Sequence, residues 1–148
     1  MKAVSLIEKL GLLGVRIRPV QDSDLNFIRN AWMKTAACGE MECLGRDWQG
    51  YANVRDHLLA TCKITIACSA GSPRTIAGFA VYEPKGVVHC VYVRQEFRGY
   101  GIARAMLSDL TTRKAVIWFT LWSRDLQVKR LPEGWHFSFS RVVPSGGL

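Results

Sequence analysis

An arginine and two glycines stand at the junction between a predicted strand and a predicted helix, in the stretch "FRGYGIA" (97–103). Glycine leaves the backbone unobstructed, and the first amides of a helix have no partner inside the helix. Such amides bind anions, and an arginine adds donors that suit phosphate oxygens. Arg98, Gly99 and Gly101 therefore predict a site for a phosphorylated ligand. The dinucleotide fingerprint would need a third glycine where this chain has Arg104, and a P-loop would need Gly-Lys-Ser/Thr, so neither fits.

The elements that must position this stretch follow from the hydrophobic pattern. Alternating or continuous apolar runs predict strands, and apolar residues three and four positions apart predict helices. Strands are predicted at 15–20, 63–70, 75–84, 87–93, 115–122 and 135–143, and helices at 21–37, at 51–62 and after Arg98. Tight turns join the three strands between 63 and 93, which indicates an antiparallel meander. This order predicts an α+β fold with one central sheet flanked by helices.

The composition is that of a single globular domain, 1–148, with 49% hydrophobic and 22% charged residues. No apolar run approaches the roughly 18 residues of a membrane-spanning helix, and Glu8 and Lys9 interrupt any signal-peptide core. We therefore expect a cytoplasmic protein with no membrane partner. The net charge of +8 favours an anionic partner such as a nucleotide, a nucleic acid or a phosphorylated cofactor. A solvated basic surface explains the charge equally well.

The cysteines and histidines do not predict a metal site. The five cysteines are an odd number with no Cys-x-x-Cys pair, and the three histidines lie far apart in the sequence. A structural zinc site needs four ligands at compact spacing. Buried free thiols are the best interpretation of the cysteines.

The pattern Arg/Gln-x-x-Gly-x-Gly/Ala, filled by Arg98, Gly101 and Ala103, resembles the Gcn5-related N-acetyltransferase (GNAT) superfamily. The preceding "VYVRQEFRGYGIA" is similar to that superfamily's strand, loop and helix, and the element order matches over most of the chain. A fainter likeness is to small phage-encoded GNAT proteins. The resemblance implies a mostly antiparallel sheet and an acetyl-CoA-dependent N-acetyltransferase, which transfers an acyl group to an amine by direct attack in a ternary complex. The acceptor amine is not identified.

The resemblance also implies which residues bind acetyl-CoA. The amides of residues 98–103 would hold the pyrophosphate; these residues are Arg98, Gly99, Tyr100, Gly101, Ile102 and Ala103. The strand 87–93 would separate from the strand 115–122, so that backbone groups near Val91 and Val93 could pair with the pantetheine arm. A backbone amide near Tyr92 would polarise the thioester carbonyl.

Removing the proton of the attacking amine requires a base, and His89 is the candidate. It lies on strand 87–93 in phase with Val91 and Val93, and its ordinary pKa is near 6.5. A half-buried structural histidine is the equal alternative, and Glu83 is a second candidate base. Family members often have a tyrosine after the helix to protonate the CoA thiolate. None follows here, which leaves Ser123, Ser138, water or no dedicated acid.

Other features leave the partners open. The family usually ends in two strands, whereas this chain has room for one convincing strand, and the exposed edge would favour a homodimer. The acceptor is expected over the loop 38–50, which carries Glu40, Glu42 and Asp47. Trp48, Tyr51 and Trp122 could line an aromatic pocket or fill the core. Two alternatives to the acetyltransferase are a GNAT-like enzyme associated with nucleic acid and a catalytically silent CoA-binding module.

Overall fold

The computed structural model describes residues 10–37, 48–111, 116–120 and 135–137. Within them one sheet contains six strands in sequence order, which are β1 (Val15–Pro19), β2 (Lys63–Ser69), β3 (Ile76–Glu83), β4 (Val87–Val93), β5 (Ile117–Phe119) and β6 (Trp135–Phe137). The pairings from β1 to β4 are antiparallel, whereas β4 with β5 and β5 with β6 are parallel. The predicted meander and the α+β fold are confirmed. The predicted strand beyond residue 137 lies outside the described residues.

Among the described residues, four α-helices with defined bounds lie beside the sheet, and these are α1 (Leu25–Ala37), α2 (Trp48–Thr61), α3 (Ile102–Met106) and α4 (Ser108–Thr111). The prediction of one continuous helix after Arg98 is wrong, because Leu107 has φ −100° and ψ 6° and interrupts it. The predicted loop 38–50 extended too far, because α2 already begins at Trp48.

Each face of the sheet buries its own hydrophobic core, because successive strand residues point to opposite faces. On one face α1 and α2 pack on the sheet through Ile28, Trp32, Tyr51 and Leu58. On the other face the core includes Ile102, Met106, Leu107 and Leu110 from the α3 and α4 region. The hydroxyl of Tyr51 accepts a hydrogen bond from Nε1 of Trp32 at 3.0 Å, so Tyr51 is a core residue rather than part of an aromatic pocket.

An ion pair is buried where β1 leads into α1. The guanidinium of Arg18 donates to both carboxylate oxygens of Asp24, at 2.7 and 2.9 Å, and to the carbonyl of Pro73 at 3.1 Å. The amide of Gln21 donates to the same carboxylate at 2.8 Å. Arg18 and Asp24 are only 8% and 3% exposed. The hydrogen bonds from Arg18 hold the pKa of the Asp24 carboxyl below its usual 3.8.

Strand β4 contains a β-bulge at His89. Val81 of β3 pairs with Cys90, but the next residue, Tyr82, pairs with Val88, so His89 has no partner on β3. An extra residue of this kind shifts the alternation of the strand. Val88 consequently packs in the same core as Val91, on the α3 side of the sheet. The prediction that His89 is in phase with Val91 and Val93 is therefore wrong.

Gly78 allows β3 and β4 to approach closely where they pair. It lies opposite Val93, and a Cβ atom at this position would clash with the carbonyl oxygen of Tyr92. The obstacle is backbone, which cannot move aside as a flexible side chain could. The absence of a side chain at position 78 therefore sets where the end of β4 lies.

Candidate active site

Strands β4 and β5 separate shortly after they begin to pair. Their partners are Val87 with Trp118 and Val88 with Phe119, and the amide of Thr120 then donates to the carbonyl of Val88 at 3.0 Å. In the described part of the chain no strand pairs with the rest of β4 on this side. We call this opening between β4 and β5 the fork. The described residues 116–120 agree with the predicted separation of 87–93 from 115–122, and the rest of the second segment lies outside the described residues.

The backbone groups of β4 alternate between β3 and the fork. The amide of Arg94 donates to the carbonyl of Ala77 at 2.8 Å, which fixes the phase of the antiparallel hydrogen bonds. Residues that bond to the partner strand alternate with residues that face away from it. The amide of Tyr92 is thus directed to β3, whereas the backbone groups of Val91 and Val93 are directed into the fork. A thioester carbonyl in the fork would meet the amide of Val91 or Val93, next to the predicted Tyr92.

The side chain of Tyr92 belongs to an aromatic cluster on the α1 side. Its ring stacks on Phe79 with the centroids 5.7 Å apart, and meets the edge of Phe27 at 6.0 Å. The guanidinium of Arg94 lies 5.2 Å from the centroid of the Phe27 ring. These contacts stabilise the position of the C-terminal end of β4, and they lie on the face of the sheet opposite α3.

The glycine loop continues directly from the end of β4. Nε of Arg98 donates to the carbonyl of Val93 at 2.8 Å, which ties the loop to the strand. Gly99 and Gly101 have φ values of 90° and 82°, in the left-handed region that favours glycine. A Cβ atom on Gly99 would meet no other atom within 4 Å. Glycine is therefore required at this position by the positive φ and not by lack of room for a side chain. Tyr100, between the two glycines, is 55% exposed.

The last predicted cofactor residues begin α3. Ile102 is only 2% exposed and anchors the helix in the core, so only its backbone can serve a ligand. Ala103 is half-buried. Because α3 has five residues, few peptide dipoles add along it. Positive charge near the loop comes mainly from side chains, since Arg98 and Arg104 are exposed and Arg94 is half-buried.

His89 lies at the base of the fork and joins two other polar side chains. Its Nδ1 is 2.8 Å from Oγ1 of Thr120, and its Nε2 is 2.7 Å from Oε2 of Glu83. The other carboxylate oxygen of Glu83 is 3.3 Å from Nζ of Lys85. Burial lowers the pKa of His89, although the hydrogen bond that His89 makes to Glu83 opposes that shift. The two candidate bases, His89 and Glu83, are therefore hydrogen-bonded directly to each other. The lowered pKa leaves the imidazole of His89 neutral at neutral pH.

Thr120 is the residue of this cluster that sequence reasoning missed. It is 3% exposed and follows the last residue of β5. The only indication in the sequence is a hydroxyl residue inside the apolar run "AVIWFTLW". Ser123, Ser138, Glu40, Glu42, Asp47 and Trp122 lie outside the described residues, and the side chain of Trp48 is not described.

The described cysteines agree with the interpretation as free thiols. Cys68 and Cys90 are buried and free, and Cys62 is free and half-buried. Burial raises the pKa of the Cys90 thiol far above its ordinary value, which opposes a role as nucleophile. Among the described residues no three histidine, cysteine or acidic side chains are grouped closely enough to hold a metal ion.

Comparison with known proteins gives a likeness in fold. No family model and no curated protein matches the sequence. The apo form of YjaB from Escherichia coli is a similar solved structure, with a TM-score of 0.51 and 11% identity over 70% of this chain and 68% of that chain. The chain adopts the GNAT fold.

Two further solved structures are less similar. A GCN5-related N-acetyltransferase from Kribbella flavida has a TM-score of 0.45 and 19% identity over 68% of this chain and 65% of that chain. The structure of yncA from Salmonella typhimurium, solved with its cofactor acetyl-CoA, has a TM-score of 0.44 and 16% identity over 67% of this chain and 62% of that chain. The chain thus spans somewhat under two thirds of the length of these two proteins.

None of the helices in the described ranges has both the length and the apolar character needed to cross a bilayer.

Proposed function

We propose that this protein is an acetyl-CoA-dependent N-acetyltransferase that transfers the acyl group directly to an amine. The observation that carries the proposal is the fork: within the described residues β5 pairs only with the start of β4, and β4 then runs straight into the glycine loop. A strand edge binds an extended ligand through main-chain hydrogen bonds, and the loop offers backbone amides beside arginines.

The donor groups of the site suit the two ends of acetyl-CoA. Val91 and Val93 direct backbone groups into the fork, where they can pair with the amides of the pantetheine arm. The backbone of residues 98–103 and the exposed side chain of Arg98 suit its phosphates. Acetyl-CoA supplies an acyl group that is activated as a thioester.

The residues of the fork also suit the chemistry. The amide of Val91 or Val93 can donate to the thioester oxygen as negative charge develops on it. The amine nitrogen attacks the carbonyl carbon, so that the carbon–nitrogen bond forms and the carbon–sulfur bond breaks. Cys90 is 2% exposed with a thiol of raised pKa, which favours direct attack over an acyl-cysteine intermediate.

Binding of acetyl-CoA can be tested by thermal and calorimetric titration. At about 100 times its Kd, acetyl-CoA should stabilise the protein by about 2.7 kcal/mol. Gly101→Glu should abolish this stabilisation, because it places bulk and negative charge beside the phosphates. Gly14→Glu is the matched control, since Gly14 also has a positive φ, of 77°, and lies before β1 with open space around it.

The control separates ligand binding from backbone strain. Both variants carry the same glutamate at a left-handed glycine, so a general loss of stability should be common to both. The proposal fails if acetyl-CoA does not stabilise the parent protein, or if both variants bind it as the parent does.

A panel of amines tests whether the protein is an enzyme or a silent CoA-binding module. Release of free CoA thiol that depends on an added amine supports the enzyme, whereas binding without release supports the module.

The net charge of +8 keeps a nucleic-acid partner as a prediction, which steep salt dependence of DNA or RNA binding would support. The homodimer also stays a prediction.

A further inference from the structure

The hydrogen bonds of His89 determine which of its nitrogens carries the proton. The carboxylate of Glu83, paired with Lys85, only accepts hydrogen bonds, so Nε2 of His89 donates to it over 2.7 Å. The neutral ring then has an unprotonated Nδ1, which accepts a hydrogen bond from the hydroxyl of Thr120 over 2.8 Å. The tautomer is thus assigned from its partners.

Because of these contacts, neither ring nitrogen of His89 is available for a hydrogen bond to the substrate. Both ring nitrogens are already hydrogen-bonded, Nδ1 to Thr120 and Nε2 to Glu83. The hydroxyl of Thr120 donates to His89 but still has lone pairs that can accept a proton. The amide of Thr120 also donates to the carbonyl of Val88, and among the described residues this is the last hydrogen bond between β4 and the β5 segment before the fork opens.

We infer that Glu83, His89 and Thr120 form a two-way proton relay in which Thr120, and not His89, contacts the reacting groups. This inference rests on the proposed function and specifies how its protons move. Thr120 is the catalytic residue of the relay, acting directly or through one water. His89 stores the proton behind it, and Glu83 is the positioning residue that fixes the tautomer and stabilises the imidazolium.

The relay balances the reaction in two steps. As the amine nitrogen bonds to the acyl carbon, its proton passes to Oγ1 of Thr120, and the hydroxyl proton passes to Nδ1 of His89. The carbon–sulfur bond breaks, which leaves a CoA thiolate and an imidazolium beside the Glu83 carboxylate. The proton then returns from Nδ1 through Thr120 to the thiolate sulfur, and His89 regains its neutral tautomer. The relay thus supplies the general acid for which no tyrosine follows the helix.

A histidine that only supports packing would also be hydrogen-bonded, but two observations favour the relay. The cluster lies at the bulge and at the base of the fork, beside the edge of β4 that the ligand would use. In addition, the Glu83 side chain is 19% exposed, so one end of the cluster reaches solvent while His89 does not.

Nitrogen-15 NMR of the histidine side chains tests the resting relay without any ligand. His89 should show the Nε2–H tautomer and a pKa below the ordinary 6.5 of a histidine. Glu83→Gln should lower the pKa of His89 further, because it removes the carboxylate that opposes the effect of burial. An Nδ1–H tautomer in the parent protein would overturn the relay.

Substitution of Thr120 tests the relay in turnover. Thr120→Val, which keeps the shape and removes the hydroxyl, should lower kcat by roughly 10²–10⁴-fold with an unchanged KM for acetyl-CoA. Thr120→Ser should restore most of the rate. Thr65→Val, on β2 of the same sheet, is the matched control and should keep the parent rate.

Two outcomes separate this inference from the proposed function. If the parent protein turns over and Thr120→Val does so equally well, the relay is wrong and the proposed function stands. If the parent protein neither binds nor uses acetyl-CoA, the proposed function fails and the relay fails with it, whatever tautomer NMR shows. Acetylation of Thr120 by acetyl-CoA alone, seen as a mass increase of one acetyl group, would make Thr120 a nucleophile and overturn the relay.

Discussion

Two buried pairs of ionisable side chains lie in the same sheet, and they differ in their access to water. In the pair Arg18 and Asp24 the side chains are 7% and 4% exposed, and the backbone supplies additional bonds. In the pair His89 and Glu83 the histidine side chain is fully buried, while the carboxylate is 19% exposed. We call Arg18 and Asp24 the closed pair, because both side chains are shielded from water, and His89 and Glu83 the open pair, because the carboxylate reaches water.

This difference separates a structural role from a chemical one. Arg18 and Asp24 hold each other charged, so the pair joins β1, α1 and the turn at Pro73 without exchanging protons near neutral pH. Burial keeps His89 neutral, and its neighbours Glu83 and Thr120 give a proton a path in either direction. Burial of an ionisable pair alone therefore does not indicate catalysis, and the proposed relay depends also on the partly exposed end at Glu83 and on the hydroxyl of Thr120.

The largest effect on stability should come from breaking the closed pair. Asp24→Asn leaves the charge of Arg18 buried without its counter-ion, and should lower the free energy of unfolding by about 3–5 kcal/mol, measured by urea denaturation. Asp56→Asn, which breaks the exposed bridge to Arg29, is the control and should change it by less than about 1 kcal/mol. Turnover per folded molecule should be unchanged in both. A loss of turnover per folded molecule in Asp24→Asn would show that the pair of Arg18 and Asp24 is not purely structural.

The pH dependence of stability should differ between the two pairs. Because the folded pKa of His89 is lowered from 6.5, the unfolded chain binds the proton more readily, and stability falls as pH decreases below about 6.5. The slope from this group is at most about 1.4 kcal/mol per pH unit. Glu83 and Lys85 are the charged groups that influence His89. The folded pKa of Asp24 is also lowered, so its contribution is present above 3.8 and is lost only as pH falls through that lower value.

His89→Gln tests this assignment by urea denaturation between pH 7 and pH 5. The parent protein should lose stability over this range, and the variant should lose less. An equal loss in both proteins would mean that another group is responsible, and the open pair would then be no more sensitive to pH than the closed one.

The smallest effect on stability should come from Glu83→Gln. The glutamine oxygen can still accept from Nε2 of His89, and the position is partly exposed, so we expect a change below about 1 kcal/mol. Turnover should nevertheless fall, and the acid limb of its pH profile should move to lower pH together with the pKa of His89. A stability loss as large as that of Asp24→Asn would show that Glu83 is structural.

Local patterns in the sequence were enough for most of the fold. Strand β4 was predicted at its observed bounds, because alternation and flanking turns are properties of consecutive residues. The interruption at Leu107 was not predicted, since Ile102, Met106 and Leu110 have the spacing of one continuous helix. The bulge at His89 was also missed, because it is a property of the pairing of β4 with β3.

The site was predicted as far as its parts are neighbours in the sequence. The edge of β4 and the glycine loop follow each other directly, and both lie where the spacing indicated. Thr120 is 31 residues from His89, and only the parallel pairing of β4 with β5 brings them together. Arg18 and Asp24 were not recognised as a pair, because Arg18 belongs to a predicted strand and Asp24 to the predicted helix that follows it.

Gly78 limits how this sequence can change during evolution. It lies on β3, away from the fork, yet any side chain there would collide with the backbone of Tyr92. A substitution at position 78 would therefore displace Val91 and Val93, although it touches no ligand. A lineage that loses this glycine must therefore rebuild the end of β4, even where the exposed residues of the site are unchanged.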